Sequence, residues 1–456
     1  MADILLVSCY ELGHQPLAAA SPLAFLERAG FAADTLDVSV EQFAAPTAAR
    51  ARLVAISVPM HTALRLGVRV AEQIRKVNPD CHICFYGLYA SLNAEFLLAH
   101  CGDSVIGGEF ESALVALAEA LRDGRAGAVA GVHLRGHIAK PVLERLPFAL
   151  PSRGALPGLK KYAHLDKDGG KELAGYVEAS RGCLHLCLHC PIPPVYGGRF
   201  FVVPEEVVLA DIRQLVRDGA THITFGDPDF LNGPGHSLSI VRAMHAEFPS
   251  LTFDFTAKVE HILEREALFP ELRRLGCAFM VSAVESLSES VLANLEKGHT
   301  PADVSRALGI VREAGIAFRP TWVAFTPWTA LEDYLEMFEF VEREGLIDHV
   351  DPVQFTLRLL VPPGSALLTR DAITPYLGAL DQAAFMHRWT HPDPRMDVLQ
   401  REASRLVEGA ASEDPAATFY RVKALARSAA GLPAEPAPSL VPDRRRPPRL
   451  TEAWFC

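Results

Sequence analysis

Three cysteines at short intervals constrain this chain more than any other feature. They lie in Arg181-Gly182-Cys183-Leu184-His185-Leu186-Cys187-Leu188-His189-Cys190, with the spacing Cys-x3-Cys-x2-Cys. Thiolates are the soft ligands that iron–sulfur clusters require. Three of them on one loop hold three irons of a four-iron cube and leave the fourth open. The loop follows a strand-like run, Tyr176–Ala179, so it falls at the carboxyl end of a βα unit, where α/β folds gather their ligands. A structural zinc site is the competing reading, with His185 or His189 as fourth ligand. Zinc more often takes two cysteine pairs, and the βα setting weighs against it.

The rest of the composition narrows the setting. A net charge of −11 argues against nucleic acid or anionic membrane as the main partner. No apolar run reaches the length of a membrane span. The opening Ile4-Leu5-Leu6-Val7 lacks a basic lead and reads as a buried strand. The clustering of thiols points to metal binding rather than disulfides, and so to a cytoplasmic protein.

Along the chain, residues 1–125 alternate strand and helix. Strands are expected at Ile4–Ser8, Leu53–Val58, His82–Tyr86 and Ser104–Ile106, with helices near Ser21–Ala29, His61–Val77 and Glu111–Leu121. That alternation gives right-handed βαβ units on a parallel sheet. Residues 126–172, with recurring Pro141, Pro147, Pro151 and Pro157, read as an ordered linker. Six further strands are expected at Tyr176–Ala179, His222–Phe225, Thr252–Ala257, Phe279–Val284, Thr321–Phe325 and Val353–Leu359, which fits a partial (β/α) barrel over 173–368. A helical region follows over 369–431. The Pro/Arg-rich stretch from 432 to 456 reads as a flexible tail ending in Cys456.

With the motif and its frame in place, the segment Val177 to Cys190 resembles the signature of radical S-adenosylmethionine (radical SAM) enzymes, and the likeness extends through roughly residues 1–368. The resemblance implies that Cys183, Cys187 and Cys190 bind a 4Fe–4S cluster. Its open iron would chelate S-adenosylmethionine, which one-electron reduction cleaves to a 5′-deoxyadenosyl radical. It also implies cofactor contacts from Gly226 and Asp227, at the place of the family's Gly-Gly-Glu turn, though Asp227-Pro228 departs from that pattern. Lys258, Ser282, Glu285, Ser286 and Arg358 are further expected contacts, with Thr256 and Gln354 as neighbouring candidates. Lys297-Gly298-His299-Thr300 resembles the loop after the fourth barrel strand.

The first domain looks like the Rossmann-like cobalamin-binding domain that precedes many such barrels. The evidence is Val105-Ile106-Gly107-Gly108-Glu109-Phe110-Glu111, a strand, a glycine pair and an acidic helix start. Met60, His61, Gly107 and Gly108 are the expected cobalamin contacts. The loop Ser8-Cys9-Tyr10-Glu11-Leu12-Gly13-His14 lacks Asp-x-His-x-x-Gly, so cobalamin would bind without a histidine on cobalt. Phe318–Thr329, Gln354–Ser365 and Thr451–Cys456 resemble the CUAEP/CCAEP-tail radical SAM proteins, which carry a Cys-Cys or Cys-selenocysteine pair. That implies a selenoprotein read to its first cysteine. The expected function is transfer of a methyl or other S-adenosylmethionine-derived group to a small molecule. The electron donor would be a flavodoxin or ferredoxin. Transfer to arsenic or selenium is one alternative, and a non-catalytic iron–sulfur and cobalamin sensor is the other.

Overall fold

The first sheet is built from runs that are apolar on both faces. β1 (Ile4–Ser8) and β3 (Leu53–Ser57) are buried at every residue, as parallel strands covered on both sides must be. With β2 (Ala33–Asp37), β4 (His82–Tyr86), β5 (Ser104–Ile106) and β6 (Val132–Leu134) they form a sheet of order β2-β1-β3-β4-β5-β6. The first five strands are parallel and β6 is antiparallel. Helix His61–Val77 buries Leu64, Ala71 and Ile74 on one face, and helices Leu17–Arg28 and Glu111–Arg122 bury Leu23, Leu26, Leu114 and Leu117 on the other. The structure is a computed structural model that describes residues 3–125, 129–167, 169–439 and 444–452.

The second sheet carries the cysteine loop. β7 (His164–Lys167) and β8 (Gly170–Val177) form a hairpin, and β8 is followed by β9 (Ser180–Gly182), which pairs with β10 (Phe200–Val202). β11 (His222–Phe225), β12 (Thr252–Thr256), β13 (Cys277–Glu285) and β14 (Ala317–Trp322) continue from β8 in parallel. The result is a five-strand parallel partial barrel with helices outside. No membrane-length apolar helix occurs among the described residues.

Three expectations change. The run Val353–Leu359 is not a sixth strand: Pro352–Thr356 is a 3₁₀ turn, and a single bridge joins Phe325 to Arg358. The physical reason is visible at β14, where the Gln354 side chain accepts the Trp322 N–H at 2.9 Å and replaces a ladder bond. The linker supplies β6 to the first sheet and β7 to the second. It also supplies Arg153, which is buried and grips Asp211 at 2.6 and 2.7 Å, Gln15 at 2.8 Å and the Tyr176 carbonyl at 2.7 Å.

Residues 444–452 of the tail are docked rather than loose. Arg444 pairs with Asp348 and Asp414 at 2.6 Å each, and Arg449 reaches Asp351 at 3.3 Å. β17 (Arg449–Leu450) then pairs antiparallel with β7, after the hairpin of β15 (Leu377–Asp381) and β16 (Met386–Trp389) has packed elsewhere. Asp348 and Asp351, after helix Leu331–Arg343, and Asp414, at the head of helix Pro415–Ala429, give the basic tail its partners, which composition read segment by segment misses. Trp454, Phe455 and Cys456 lie outside the described residues.

A buried carboxyl in the first domain gives a pH prediction. Glu11 accepts the N–H groups of Leu17 (3.0 Å) and Ala18 (3.3 Å), capping the following helix. Burial first, and then the nearby Glu178, push its pKa from 4.5 up to about 8. The folded chain therefore holds a proton that the unfolded chain has released above pH 4.5, so stability falls as pH rises from there through about 8. Urea midpoints of wild type and Glu11→Gln should diverge over that interval, with the wild type losing ground as pH rises. A constant difference would remove Glu11 as the cause.

Candidate functional site

A cavity of about 290 Å³ opens at the carboxyl ends of the barrel strands. Cys183, Cys187 and Cys190 line it together, beside Gly226, Asp227, Lys258 and Glu285. Leu12 and His14 of the first domain and Leu450 and Glu452 of the tail complete its wall. Cys183 and Cys187 are buried, and burial pushes the Cys190 thiol up to about 12. Asn232 Nδ2 donates to Cys183 Sγ at 3.6 Å. Three convergent thiols in a shielded cavity fit an iron–sulfur cluster, whose irons displace the thiol protons.

The loop is held from below and from the side. Asp227 accepts the Ala179 N–H at 2.9 Å and bonds the Ser180 hydroxyl, so it fixes the strand end from which the loop departs. Burial raises its pKa to about 7. Gly226 is needed for the Tyr176 ring, which would lie 2.1 Å from any Cβ there. Lys258 Nζ donates to His185 Nδ1 at 3.1 Å and pairs with Glu260 at 3.0 Å. Asp229 accepts the Lys258 N–H at 3.1 Å and bonds His261 at 2.9 Å, locking the β12 exit.

Glu285 is the most constrained side chain of the site. A register shift between Ala283 and Glu285 breaks the β13–β14 ladder, and Glu285 takes φ +64°, a left-handed value uncommon without glycine. Lys297 Nζ and His189 Nε2 both donate to its Oε1 at 3.2 Å. Burial opposes its ionisation, but Lys297 and His189 outweigh it and hold the pKa at about 2. Lys297 is itself buried; burial opposes its charge, but the Glu285 carboxylate outweighs it and raises the pKa. A fixed cation on this side of the cavity would offset part of the negative charge of a thiolate-bound cluster. Strain of this kind marks sites where geometry is imposed by function.

Other expected contacts lie elsewhere. Phe279, Val281, Ala283 and Glu285 face the cavity, so the two-residue period of β13 turns Ser282 to the opposite side. Ser286 accepts the Ser288 N–H at 3.1 Å and shapes the turn into the next helix. Arg358 pairs with Asp397 at 2.6 Å, donates to the Trp389 carbonyl at 2.6 Å and stacks 3.4 Å from the Trp389 ring, so it anchors the C-terminal helices instead. Cys9 is buried away from the cavity with its thiol pushed up to about 12, whereas His14 does line the cavity, stacks on Tyr176 at 4.5 Å and is pushed down to about 3 by burial. Asn232 and Lys297 went unassigned by sequence reasoning, and His189 entered only as a zinc ligand, not as a partner of Glu285. Only Lys297 carried a signal, in the Lys-Gly-His-Thr loop.

The face expected to take the cobalamin tail is filled by the chain itself. His61 Nε2–H donates to the Ala384 carbonyl at 2.7 Å, and Phe385 packs into the first domain's core, to which Met60 also belongs. A Cβ on Gly108 would lie 2.1 Å from the Val142 carbonyl oxygen, and one on Gly107 would lie 2.6 Å from Ser91 Oγ. The glycine pair admits residues 141–142 of the same chain, not a free ligand surface. Glu109 and Glu111 pair with Arg181 of the cysteine segment at 3.3 and 2.6 Å, so this stretch docks the two domains. Met60, His61, Gly107 and Gly108 thus contact the chain's own 141–142 and 384–385 segments.

Residues 177–341 match the model of the Radical SAM superfamily, and residues 4–118 match the B12 binding domain. The chain thus carries a B12-binding domain ahead of a radical SAM barrel. The cofactors these domains define are a 4Fe–4S cluster, S-adenosylmethionine and cobalamin. An uncharacterized methyltransferase of Pyrococcus horikoshii is 23% identical over 304 residues, 64% of each chain. The ribosomal protein uS12 methylthiotransferase RimO of Phocaeicola vulgatus is 23% identical over 52% of this chain and 60% of its own. The chain therefore spans less than two thirds of the length of these relatives.

Solved structures that share the fold include the following two. The cobalamin-dependent S-adenosylmethionine radical enzyme OxsB, with aqua-cobalamin and S-adenosylmethionine bound, superposes with a TM-score of 0.72 at 15% identity. That match covers 90% of this chain and 67% of OxsB. The radical S-adenosylmethionine methyltransferase TsrM from Kitasatospora setae, with tryptophan and an S-adenosylmethionine analogue bound, gives 0.64 at 18% identity, over 80% and 75% of the two chains.

Proposed function

We propose that this protein is a radical SAM enzyme that modifies a small molecule by transferring a methyl or other S-adenosylmethionine-derived group. The observation that carries the reading is the convergence of Cys183, Cys187 and Cys190 on one cavity at the strand ends, with Glu285 and Lys297 beside them. The cluster, when bound and reduced, supplies cleavage of the sulfonium of S-adenosylmethionine. The chain's own residues supply the rest. The Asp227 and Lys258 contacts hold the loop, Lys297 places positive charge beside the thiolates, and Glu285 presents a fixed carboxylate to the cavity. A wall built largely of buried strand residues limits water.

Kinship with the CUAEP/CCAEP-tail proteins, and with it transfer to a soft element such as arsenic or selenium, is a finer form of the same reading. The docked strap, which brings Leu450 and Glu452 to the cavity wall, supports it. An electron donor of the flavodoxin or ferredoxin type and a reducing, cytoplasmic setting suit the thiols.

The test is anaerobic reconstitution followed by reduction with S-adenosylmethionine present, with 5′-deoxyadenosine, S-adenosylhomocysteine and methylthioadenosine quantified. Cleavage above a cluster-free control is expected. A fully loaded, reduced protein that leaves S-adenosylmethionine intact would be a sensor, not an enzyme.

A further inference from the structure

Arg319, Asp351 and Arg449 form a charged group that the cysteine loop does not use. Arg319 stands on β14, lines the cavity and is buried, its side chain 8% exposed. Its Nη2 donates to Asp351 Oδ2 at 3.0 Å, and Arg449 Nη1 from the C-terminal strap takes the other oxygen at 3.3 Å. One carboxylate thus serves two guanidinium groups. Arg319 Nη1 and Arg449 Nε are both buried without a hydrogen-bond partner. The other nearby acids do not fill the gap. Asp254 is taken by His222 and Thr224 at 2.7 Å each, and Asp166 lies 3.6 Å from Arg449 Nε, outside hydrogen-bond reach. A buried cationic N–H without an acceptor is a costly arrangement that an incoming anion relieves.

We propose that the inner end of the cavity is an anion subsite, where Arg319 Nη1 receives a carboxylate or tetrahedral oxyanion carried by the substrate. Depth gives the substrate a shape. Arg319 pairs in register with Val281, four residues before Glu285 on β13. At ~3.3 Å per residue, that is about 13 Å of strand below the cluster end. The anionic end of the substrate therefore lies deep in the barrel, with its reacting end toward Cys183, Cys187 and Cys190. The strap is part of the subsite, because β17 carries Arg449 and the next residues, Leu450 and Glu452, wall the same cavity. Calling the ligand a substrate rests on the proposed function; the anion site itself does not.

The experiment is thermal unfolding of the full chain in sodium phosphate, sulfate or acetate at constant ionic strength, with chloride as reference. At least one oxyanion should raise the midpoint saturably. Arg319→Met should weaken that response at least tenfold. Arg319→Lys, which keeps the charge but lacks the second terminal nitrogen, should fall between the two, and Arg449→Met should weaken it by a smaller factor. If Arg319→Met does not fold, Arg319→Lys carries the comparison. Oxyanions acting no differently from chloride in the wild type, or a response indifferent to Arg319, overturns the subsite. Cleavage of S-adenosylmethionine by the wild type is read separately, so failure of the enzymatic assignment is distinguishable from failure of the anion site.

Discussion

Replacing Cys183, Cys187 and Cys190 together with alanine should take the reconstituted protein from about four irons per chain to none. Formation of 5′-deoxyadenosine should vanish with them. The three thiols line one cavity, and among the described residues no other cysteine lines it. Cys9, Cys84 and Cys277 are packed into cores with their thiols pushed far up by burial, which makes them poor substitutes. Iron and sulfide analysis, with the visible charge-transfer absorption, reads the outcome. The fold should survive, because the loop's supports at Asp227 and Lys258 lie just past the ends of neighbouring strands β11 and β12 and do not depend on the thiols. Iron loading in the triple variant equal to the wild type would refute the cluster assignment.

The second large effect is structural. Arg153→Met should destabilise the chain by about 3–5 kcal/mol, because it strands Asp211 in the interior without its cation. Both side chains are almost inaccessible, at 2% and 4% exposure, so solvent does not screen the loss. The same guanidinium ties Gln15 of the first domain to the Tyr176 carbonyl of β8. Breaking it should therefore loosen the domains from each other as well as lower the unfolding midpoint. Urea unfolding with limited proteolysis between residues 126 and 172 reads both effects. The double variant Arg153→Met, Asp211→Leu should recover part of the loss, since no charge is then left buried alone. A single variant within about 0.5 kcal/mol of wild type would show that the pair contributes little.

Much of the fold could be read from local pattern. Runs such as Ile4–Ser8 and Leu53–Ser57, apolar at every position and separated by amphipathic helices, have few solutions other than a covered parallel sheet. The cysteine spacing specified a ligand set for the same reason: three thiols within eight residues act as a unit wherever the loop is placed. The family resemblance also pointed to Glu285 and Lys258, which the structure places on the cavity wall.

Sequence by itself determined the two α/β units and a set of three close-spaced thiols at the barrel mouth, because each is set by neighbours a few residues apart. Tertiary structure alone decided which polar groups share a cavity and which are spent elsewhere. Ser282 is turned away by the pleat of β13, and Arg358 is consumed by Asp397 and Trp389, partners more than thirty residues on. Gly107 and Gly108 admit residues 141–142 rather than a free ligand. The basic tail, which composition reads as loose, finds Asp348, Asp351 and Asp414 only once the chain has folded, and it carries Arg449 and Glu452 to the barrel. The physical reason is the same in each case. Local periodicity fixes backbone form over a few residues, whereas a buried charge or donor settles on whichever partner the whole fold brings within hydrogen-bond distance.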